Sequence, residues 1–198
     1  MTRGRPPEFD ETEVLDTAAA LFMRDGFEAV SVATVCRETG LAMQSLYHRF
    51  GDKAGLHREA LKRYGVTHNE PSLTLLSGEG DPLAAIRSFI RGWRRHAGAG
   101  RDGGCLFAQT LSRGDRDDPA GHSVIARDWT DRLRKALIAA LRRAAAAGEL
   151  PVDRDPVAVA DGVLALHVGV AVLGRGGLPS AVIDHAIATA LQLIDSED

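Results

Sequence analysis

The sequence predicts an all-α protein. Aromatic residues are only 5% of its 198 residues, whereas Ala, Leu and Arg are abundant, and this composition favours helices over sandwiches and barrels. Apolar residues recur three and four positions apart along most of the chain, and no stretch shows the alternation of a half-buried strand. We therefore expect about nine helices, arranged as a small N-terminal unit and a larger C-terminal bundle.

Four short helices are predicted at the N-terminal end. The first begins at Asp10, with acidic residues in its first turn, and ends at Gly26. Ser31 is expected to cap the second, which ends at Gly40 because a tight turn there needs a positive φ. The third and fourth helices are predicted over Ala42–Phe50 and Lys53–Tyr64.

The remainder of the chain predicts a helical bundle. Residues 69–81 are polar and contain Gly and Ser, so we expect a connection there. Pro82 opens the next helix, since proline is well tolerated in a first helical turn. Further helices are predicted over Cys105–Leu111, Ser123–Ala147 and Val157–Leu173, with a last one after Pro179.

Composition and charge do not by themselves indicate what the protein binds, and they argue against a membrane protein and a metal site. Net charge is −3, and the first 65 residues hold nine Lys or Arg against ten Asp or Glu, so charge alone does not indicate nucleic-acid binding. We expect a cytoplasmic protein without a membrane span, since the apolar run Gly162–Gly174 is short and interrupted by His167. The two cysteines, Cys36 and Cys105, are expected to be reduced, and no metal or cofactor is expected.

Residues Ser31–Leu56 carry the functional signal. Two short helices that meet at Gly40 predict a helix-turn-helix, whose second helix lies in the DNA major groove. Gln44 can read an adenine edge, Ser45 can bond a base or a phosphate, and Met43 can contact a thymine methyl group. The residues around the end of this helix are expected to contact phosphates, which fix register rather than sequence: Tyr47, His48, Arg49 and Lys53.

The same segment resembles the DNA-binding domain of the TetR family of bacterial repressors. The resemblance covers residues 10–64, about a third of the chain. The residues that carry it are Gly26-Phe27, Ser31-Val32, Val35, Gly40-Leu41, Ser45-Leu46-Tyr47, Phe50, Asp52-Lys53 and Leu56, and Gly104-Cys105-Leu106 further along resembles an element of some members.

This resemblance implies specific roles. It assigns phosphate contacts to Tyr47, Lys53 and Ser31, and base contacts to the stretch Met43–Ser45. Ala42 departs from the family pattern, because a Ser or Thr usually caps the recognition helix. Met43 and Gln44 also replace commoner basic and small residues, so the DNA site cannot be inferred from a relative.

The chain is thus predicted to contain two domains. Residues 1–65 are expected to form the DNA-binding domain. Its first nine residues are a basic arm that contains Arg3 and Arg5. Residues 66–198 form the domain for ligand sensing and dimerisation. The predicted ligand is a small apolar effector, and its pocket is expected to combine apolar walls with a few polar groups. The residues expected to line this pocket are Phe89, Trp93, Cys105, Phe107, Trp129 and His167. Each of these could equally be an ordinary core residue.

Dimerisation is predicted through the last two helices, because Val157–Leu173 is apolar on more faces than one protomer can cover. Gly162, Ala165 and Gly169 permit close approach of helices, and the resemblance also implies a dimer there. The residues expected in the contact are Val163, Leu166, Val170, Ile183, Ile187, Leu191 and Ile194.

These observations predict a homodimeric regulator, most simply a repressor that a small effector releases from a palindromic DNA site. Activation of transcription is the alternative within the same class. An enzyme or redox sensor would use Cys105 together with His96, His122 or His167, but no triad spacing is visible and no catalytic residue is expected. A helical adaptor that does not bind DNA is a third alternative, and Ser31–Leu56 argues against it.

Overall fold

The computed structural model describes residues 10–97, 103–113, 118 and 120–195. Within these ranges every regular element is helical, so the predicted all-α fold is confirmed. The predicted arm at residues 1–9 lies outside the described residues. The α-helices are α1 (Glu11–Asp25), α2 (Val32–Thr39), α3 (Met43–Phe50), α4 (Lys53–Tyr64), α5 (Glu70–Ser77), α6 (Pro82–His96), α7 (Leu106–Ser112), α8 (His122–Ala146), α9 (Pro156–Arg175) and α10 (Ser180–Gln192).

Helices α1–α4 form a compact N-terminal unit, here called the head. Its helix starts are fixed by local side chains: Asp10 accepts from the Thr12 N–H, and Asp52 accepts from the Gly55 N–H at 2.7 Å. Helix α4 packs along α1. The centre of the head is fully buried and consists of Phe22, Val35, Leu46, Leu56 and Leu61.

The chain remains helical between the head and the next helix. A π-helical turn, Gly65–Asn69, joins α4 to α5, and the predicted domain boundary at residue 65 falls within it. A Cβ on Gly65 would overlap the indole ring of Trp129. Helix α8 therefore packs directly against the backbone of this turn, and only glycine leaves room for the indole.

Most of the predicted connection at residues 69–81 is helix α5, so that prediction is wrong. Pro71 lies in the first turn of α5, a position at which proline is well tolerated. Leu73 and Leu76 are three residues apart and buried against the bundle. Burial of this apolar side outweighs the polar composition of the segment, because packing supplies most of the stability of a short helix.

Helices α5–α10 form the C-terminal unit, here called the bundle. Helix α8 is at its centre and packs against α5, α6, α7 and α9, and also against α4 of the head. Leu133, Leu137 and Leu141 recur four residues apart and are buried on its inner side. Helix α10 closes the bundle by packing against α6 and α9.

Helix α9 is unusually apolar. Among the described helices it alone is long and apolar enough, by length and composition, to cross a membrane, with 20 residues and a mean hydropathy of 2.0. The expectation that the apolar run Gly162–Gly174 is too short to span a membrane is therefore wrong, because the helix extends from Pro156 to Arg175. Within the protein 33% of its apolar window is buried. Core helices of soluble proteins meet the same criteria, so this feature is weak evidence for a membrane.

A cluster of aromatic rings joins the head to the bundle. His57 of α4 is only 2% exposed and meets the ring of His122, the first residue of α8, edge-on at 4.4 Å between centroids. Phe22 and Phe27 surround His57 at 4.7 and 4.9 Å. Nε2 of His122 donates to the Ala54 carbonyl at 2.8 Å, so the two units share both apolar and polar contacts.

Burial keeps His57 uncharged. Desolvation, followed by the nearby His122 and Arg113, lowers the pKa of His57 from 6.5 to about 3. Lys53 acts in the same direction, whereas Asp118 opposes the shift. In the folded protein His57 is therefore uncharged at neutral and mildly acidic pH.

Acidification should destabilise the protein through His57. Below pH 6.5 the unfolded chain takes up a proton on this residue, whereas the folded chain does so only near pH 3, so the free energy of unfolding falls as the pH falls through that window. Between pH 7 and pH 5 the loss is about 2 kcal/mol. Urea unfolding across this range, at fixed chain concentration, should give a flatter pH dependence for His57→Phe. His48→Gln, which removes an exposed histidine of α3 and is measured without DNA, should retain the wild-type slope. Equal slopes for all three proteins would refute the assignment.

Candidate nucleic-acid interface and ligand cavity

Helices α2 and α3 form a helix-turn-helix, as the sequence predicts. The Oγ of Ser31 accepts from the Thr34 N–H at 3.0 Å and caps α2. Gly40 ends α2 with φ 69°, the left-handed conformation expected for the turn. Ala42 precedes α3 in an extended conformation and provides no side-chain cap. The start of α3 therefore relies on its packing, as the departure at Ala42 suggested.

Two buried side chains anchor α3 in the head. Leu46 is 0% and Phe50 6% exposed, and they are one helical turn apart. This anchoring turns the opposite side of α3 toward solvent. Met43 and Tyr47 are 45% and 46% exposed, which is unusual for large apolar or aromatic side chains in the described part of the chain.

The exposed side of α3 is here called the reading face. It contains four of the eight predicted DNA contacts, Met43, Gln44, Tyr47 and His48, all of which are exposed. Their spacing of one, three and four residues places them on one side of a helix. Ser45 is half-buried beside this face. The structure thus brings together the residues expected to read bases and two of those expected to contact phosphates.

Arg49 and Lys53 point elsewhere. Arg49 forms a bidentate ion pair with Glu11 of α1, with both N–O distances at 2.6 Å, and its side chain remains 50% exposed. Nζ of Lys53 donates to the carbonyls of Phe27 and Glu28 at 3.0 and 3.3 Å and lies 4.5 Å from the centre of the Phe27 ring. Both cations have structural partners within the head that the sequence did not reveal.

A cavity of about 520 Å³ opens between the π-helical turn, α5, α6, α8 and α9. Four of the six residues predicted for a ligand pocket line it: Phe89, Trp93, Cys105 and His167. Phe107 lines a small adjacent cavity that Cys105 and His167 also border. Trp129 is not in the lining of either cavity, because its ring packs over Gly65 and stacks on Phe107.

Sequence reasoning missed one whole wall of this cavity. The residues come from the end of α4, the π-helical turn and α5: Tyr64, Thr67, His68, Asn69, Pro71, Ser72 and Leu75. The sequence predicts a connection at residues 69–81, which conceals the last four of them, and it predicts the head to end near Tyr64, which conceals the first three. Pro71 followed by Leu73 and Leu76 was the available signal, since proline in a first turn and an apolar pair three apart indicate a short helix.

Cys105 is a neutral group in the cavity wall. Burial raises the pKa of its thiol, although backbone N–H groups of α7 and the Tyr64 hydroxyl act against this shift. Reactive cysteines need a thiolate, which burial disfavours. Of the histidines considered with it, His167 shares its cavity, whereas His122 lies at the junction with the head. The side chain of His96 lies outside the described structure.

Four residues predicted for a dimer contact belong instead to the core of the protomer. Val163, Val170, Ile183 and Ile194 are 0%, 1%, 4% and 0% exposed, so no partner could reach them. The apolar stripe of an amphipathic helix packs first against its own bundle. Leu166, Ile187 and Leu191 are half-buried at the edge of that core.

The opposite side of α9 forms a surface of small apolar residues, here called the α9 face. It consists of Ala158, Gly162, Ala165, Gly169 and Val172, which are exposed or half-buried and follow each other at spacings of three and four. Val172 is 52% exposed, and a Cβ on Gly169 would meet nothing within 4 Å. A Cβ on Gly162, by contrast, would stand 3.2 Å from Cδ1 of Leu193, and the exposed Asp161 at the edge of the face pairs with Arg134. The surface is therefore apolar along its middle and open to the approach of another helix at Gly169.

Two family models match the chain over these same units. The model described as "Bacterial regulatory proteins, tetR family" matches residues 14–60, which comprise most of the head. The model described as "Tetracyclin repressor-like, C-terminal domain" matches residues 82–189, which is more than half of the chain.

Two curated relatives come from Escherichia coli (strain K12). The HTH-type transcriptional repressor BdcR is 33% identical over 124 residues, which cover 61% of this chain and 60% of BdcR. The HTH-type transcriptional repressor ComR is 44% identical over 63 residues, which cover 32% of this chain and 30% of ComR. The matched segments thus span less than two thirds of either relative.

Solved structures match nearly the whole fold. A cysteine mutant of the TetR family transcriptional regulator CifR, complexed with 26-bp double-strand operator DNA, matches with a TM-score of 0.82 and 24% identity, over 97% of this chain and 100% of that one. A TetR family regulator from Agrobacterium tumefaciens has a TM-score of 0.82 and 23% identity, over 93% and 96% of the two chains. At such identities the likeness establishes the fold. Together with the family models, which cover the head and the bundle, it shows that this chain is a member of the TetR family of bacterial transcriptional regulators.

Proposed function

We propose that the protein is a homodimeric repressor that binds a palindromic DNA operator through α3 and is released from it by a small molecule bound in the 520 Å³ cavity. The observation that carries this proposal is the reading face, whose exposed polar and apolar side chains stand on a helix anchored by Leu46 and Phe50. The printed descriptions of BdcR and ComR as transcriptional repressors, and of CifR in complex with operator DNA, support it.

Each exposed residue has a defined task in this model. Gln44 forms a bidentate contact with an adenine, and Met43 contacts a thymine methyl group in the major groove. Tyr47, His48 and Ser31 contact phosphates and fix the register of the helix on DNA. Arg49 joins them by exchanging Glu11 for a phosphate, which conserves its charge pairing. Lys53 contacts a phosphate at the edge of the interface, and for this its ammonium group leaves the carbonyls of Phe27 and Glu28.

Dimerisation supplies the second reading helix. A two-fold dimer places the two α3 helices one DNA turn apart, at roughly 34–36 Å, so a palindrome is the expected site. We assign the contact to the α9 face and the neighbouring exposed side of α10. The high hydropathy of α9 supports this assignment, because an exposed apolar surface of this kind is usually covered by a partner protein.

The ligand acts through α4. Tyr64 is the last residue of this helix and lines the cavity, while Lys53 and His57 near its other end contact the head and the junction. A ligand that shifts α4 changes the separation of the two heads. A hundredfold loss of operator affinity requires a coupling free energy of about 2.7 kcal/mol, which differential binding to the two states must supply.

Selection of bound sequences from random DNA tests the function as a whole. The expected product is a palindrome with half-sites one helical turn apart. A compound that prevents recovery of the bound DNA when it is added to the reaction would be a candidate effector. Recovery of no enriched sequence from the dimeric protein would contradict the proposal.

Gln44→Ala should relax specificity at one base pair of each half-site. Gel-shift titrations on the selected operator and on the same site substituted at each position should show a loss of about 1–3 kcal/mol on the operator and little loss on random DNA. Equal weakening on both DNAs would show that Gln44 does not read a base.

Arg49→Ala should weaken binding to all DNA sequences alike and reduce the slope of log affinity against log salt by about one. Arg142→Ala removes an exposed cation of the same type from the bundle and should change neither quantity. Because Arg49→Ala also breaks the pair with Glu11, thermal unfolding should accompany the titrations. An unchanged salt slope in a folded variant would remove Arg49 from the interface.

Ala165→Glu should dissociate the dimer, because it places a carboxylate at the centre of the α9 face. Ala139→Glu makes the same change at an exposed position on α8 and should leave the dimer intact. Analytical ultracentrifugation measures the oligomeric state, and a monomer should bind a full operator no more tightly than a single half-site. A dimeric Ala165→Glu protein would place the contact elsewhere.

A further inference from the structure

The 520 Å³ cavity offers hydrogen-bond donors and positive charge but, among the described residues that line it, no carboxylate. Its titratable groups are Tyr64, His68, Arg95, Cys105 and His167. Burial raises the pKa of Tyr64 and of Cys105, so both stay protonated at neutral pH. The histidines are neutral or positive. No group in this part of the wall therefore offers a negative charge to a cationic ligand.

Trp93 presents a donor that the described structure does not satisfy. Its side chain is 1% exposed, and Nε1 has no acceptor among the described residues. An indole N–H can only donate, and buried donors are nearly always paired. Trp93 is also one of the residues that line the cavity.

Arg95 brings a positive charge to the same cavity. It is exposed at the rim and has no ion pair within the described part of the chain. Gly92, one turn before it, also lines the cavity, and a Cβ there would only touch Nη2 of Arg95, at 3.6 Å. Guanidinium groups form their strongest hydrogen bonds with carboxylates and phosphates.

The rest of the wall is apolar, with Leu75, Phe89, Leu133, Val170 and Ala171 facing the same space. We infer that the effector is a small carboxylic acid with an aromatic or branched aliphatic body, bound as its anion, whose oxygen atoms pair with the Trp93 indole N–H and are attracted by Arg95. This refines the small apolar effector expected from the sequence, and it rests on the proposed control by a ligand.

Calorimetric titration of the DNA-free dimer tests the chemical class. The probes are 2-naphthoate, 4-phenylbutyrate and 4-methylpentanoate, each compared with its primary amide and with the corresponding ammonium compound. At least one carboxylate should bind about tenfold or more tightly than its two counterparts, since it alone gains a charged hydrogen bond.

Two substitutions locate the preference. Trp93→Phe removes the indole donor and keeps an aromatic ring, and Arg95→Gln removes the rim charge from an exposed position. Each substitution should weaken the affinity for the carboxylate by at least about threefold. Arg95→Gln should hardly change the affinity for the amide. Arg91→Gln changes an exposed arginine on the same helix outside the cavity lining, and it should keep the wild-type preference.

The inference is overturned if no carboxylate saturates the protein, if an ammonium probe binds as tightly, or if the preference survives both Trp93→Phe and Arg95→Gln. Operator release, followed by fluorescence anisotropy with the selected DNA, separates this inference from the proposed function. Carboxylate binding with the expected preference but without release would support the anion site and contradict control by ligand.

Discussion

Leu56, Ala60 and Leu61 are fully buried on α4, which packs along α1 in the head and against α8 in the bundle. The positions of the reading face, the aromatic junction and the cavity all follow from this shared packing. Because α4 lies in both cores, neither unit can reorient without changing buried contacts in the other. Tyr64 in the cavity wall therefore stands on the same continuous helix as His57 and Lys53, and the proposed control by a ligand uses this connection.

Charge in the head is balanced locally. Arg49 pairs with Glu11, and Arg63 pairs with Asp16 through two hydrogen bonds of 2.8 Å, so α1 neutralises cations of both α3 and α4. The head therefore carries its cations in neutral pairs. In the proposed complex Arg49 exchanges Glu11 for a phosphate, so binding there does not require an unbalanced positive field.

The parts of the fold that depend on local chemistry were predictable. Ser31 caps α2, Gly40 adopts the left-handed turn and Asp10 starts α1, because each effect acts within a few residues. Features that depend on contacts between distant residues were not: α5 was hidden by its polar composition, and the Arg49–Glu11 pair links residues 38 positions apart. The buried Val163 and Ile183 show the same limit, since an apolar stripe does not reveal whether it packs on its own bundle or on a partner.

The contact between Gly65 and Trp129 also restricts how this protein can be recombined with its relatives. A chimera could combine this head with the bundle of another regulator, joined at the end of α4. In this chain that join crosses a site where a hydrogen atom faces an indole ring. Such a chimera should therefore inherit residue 65 and the α8 residue opposite it from the same parent, because any larger residue at 65 would overlap the indole ring of Trp129.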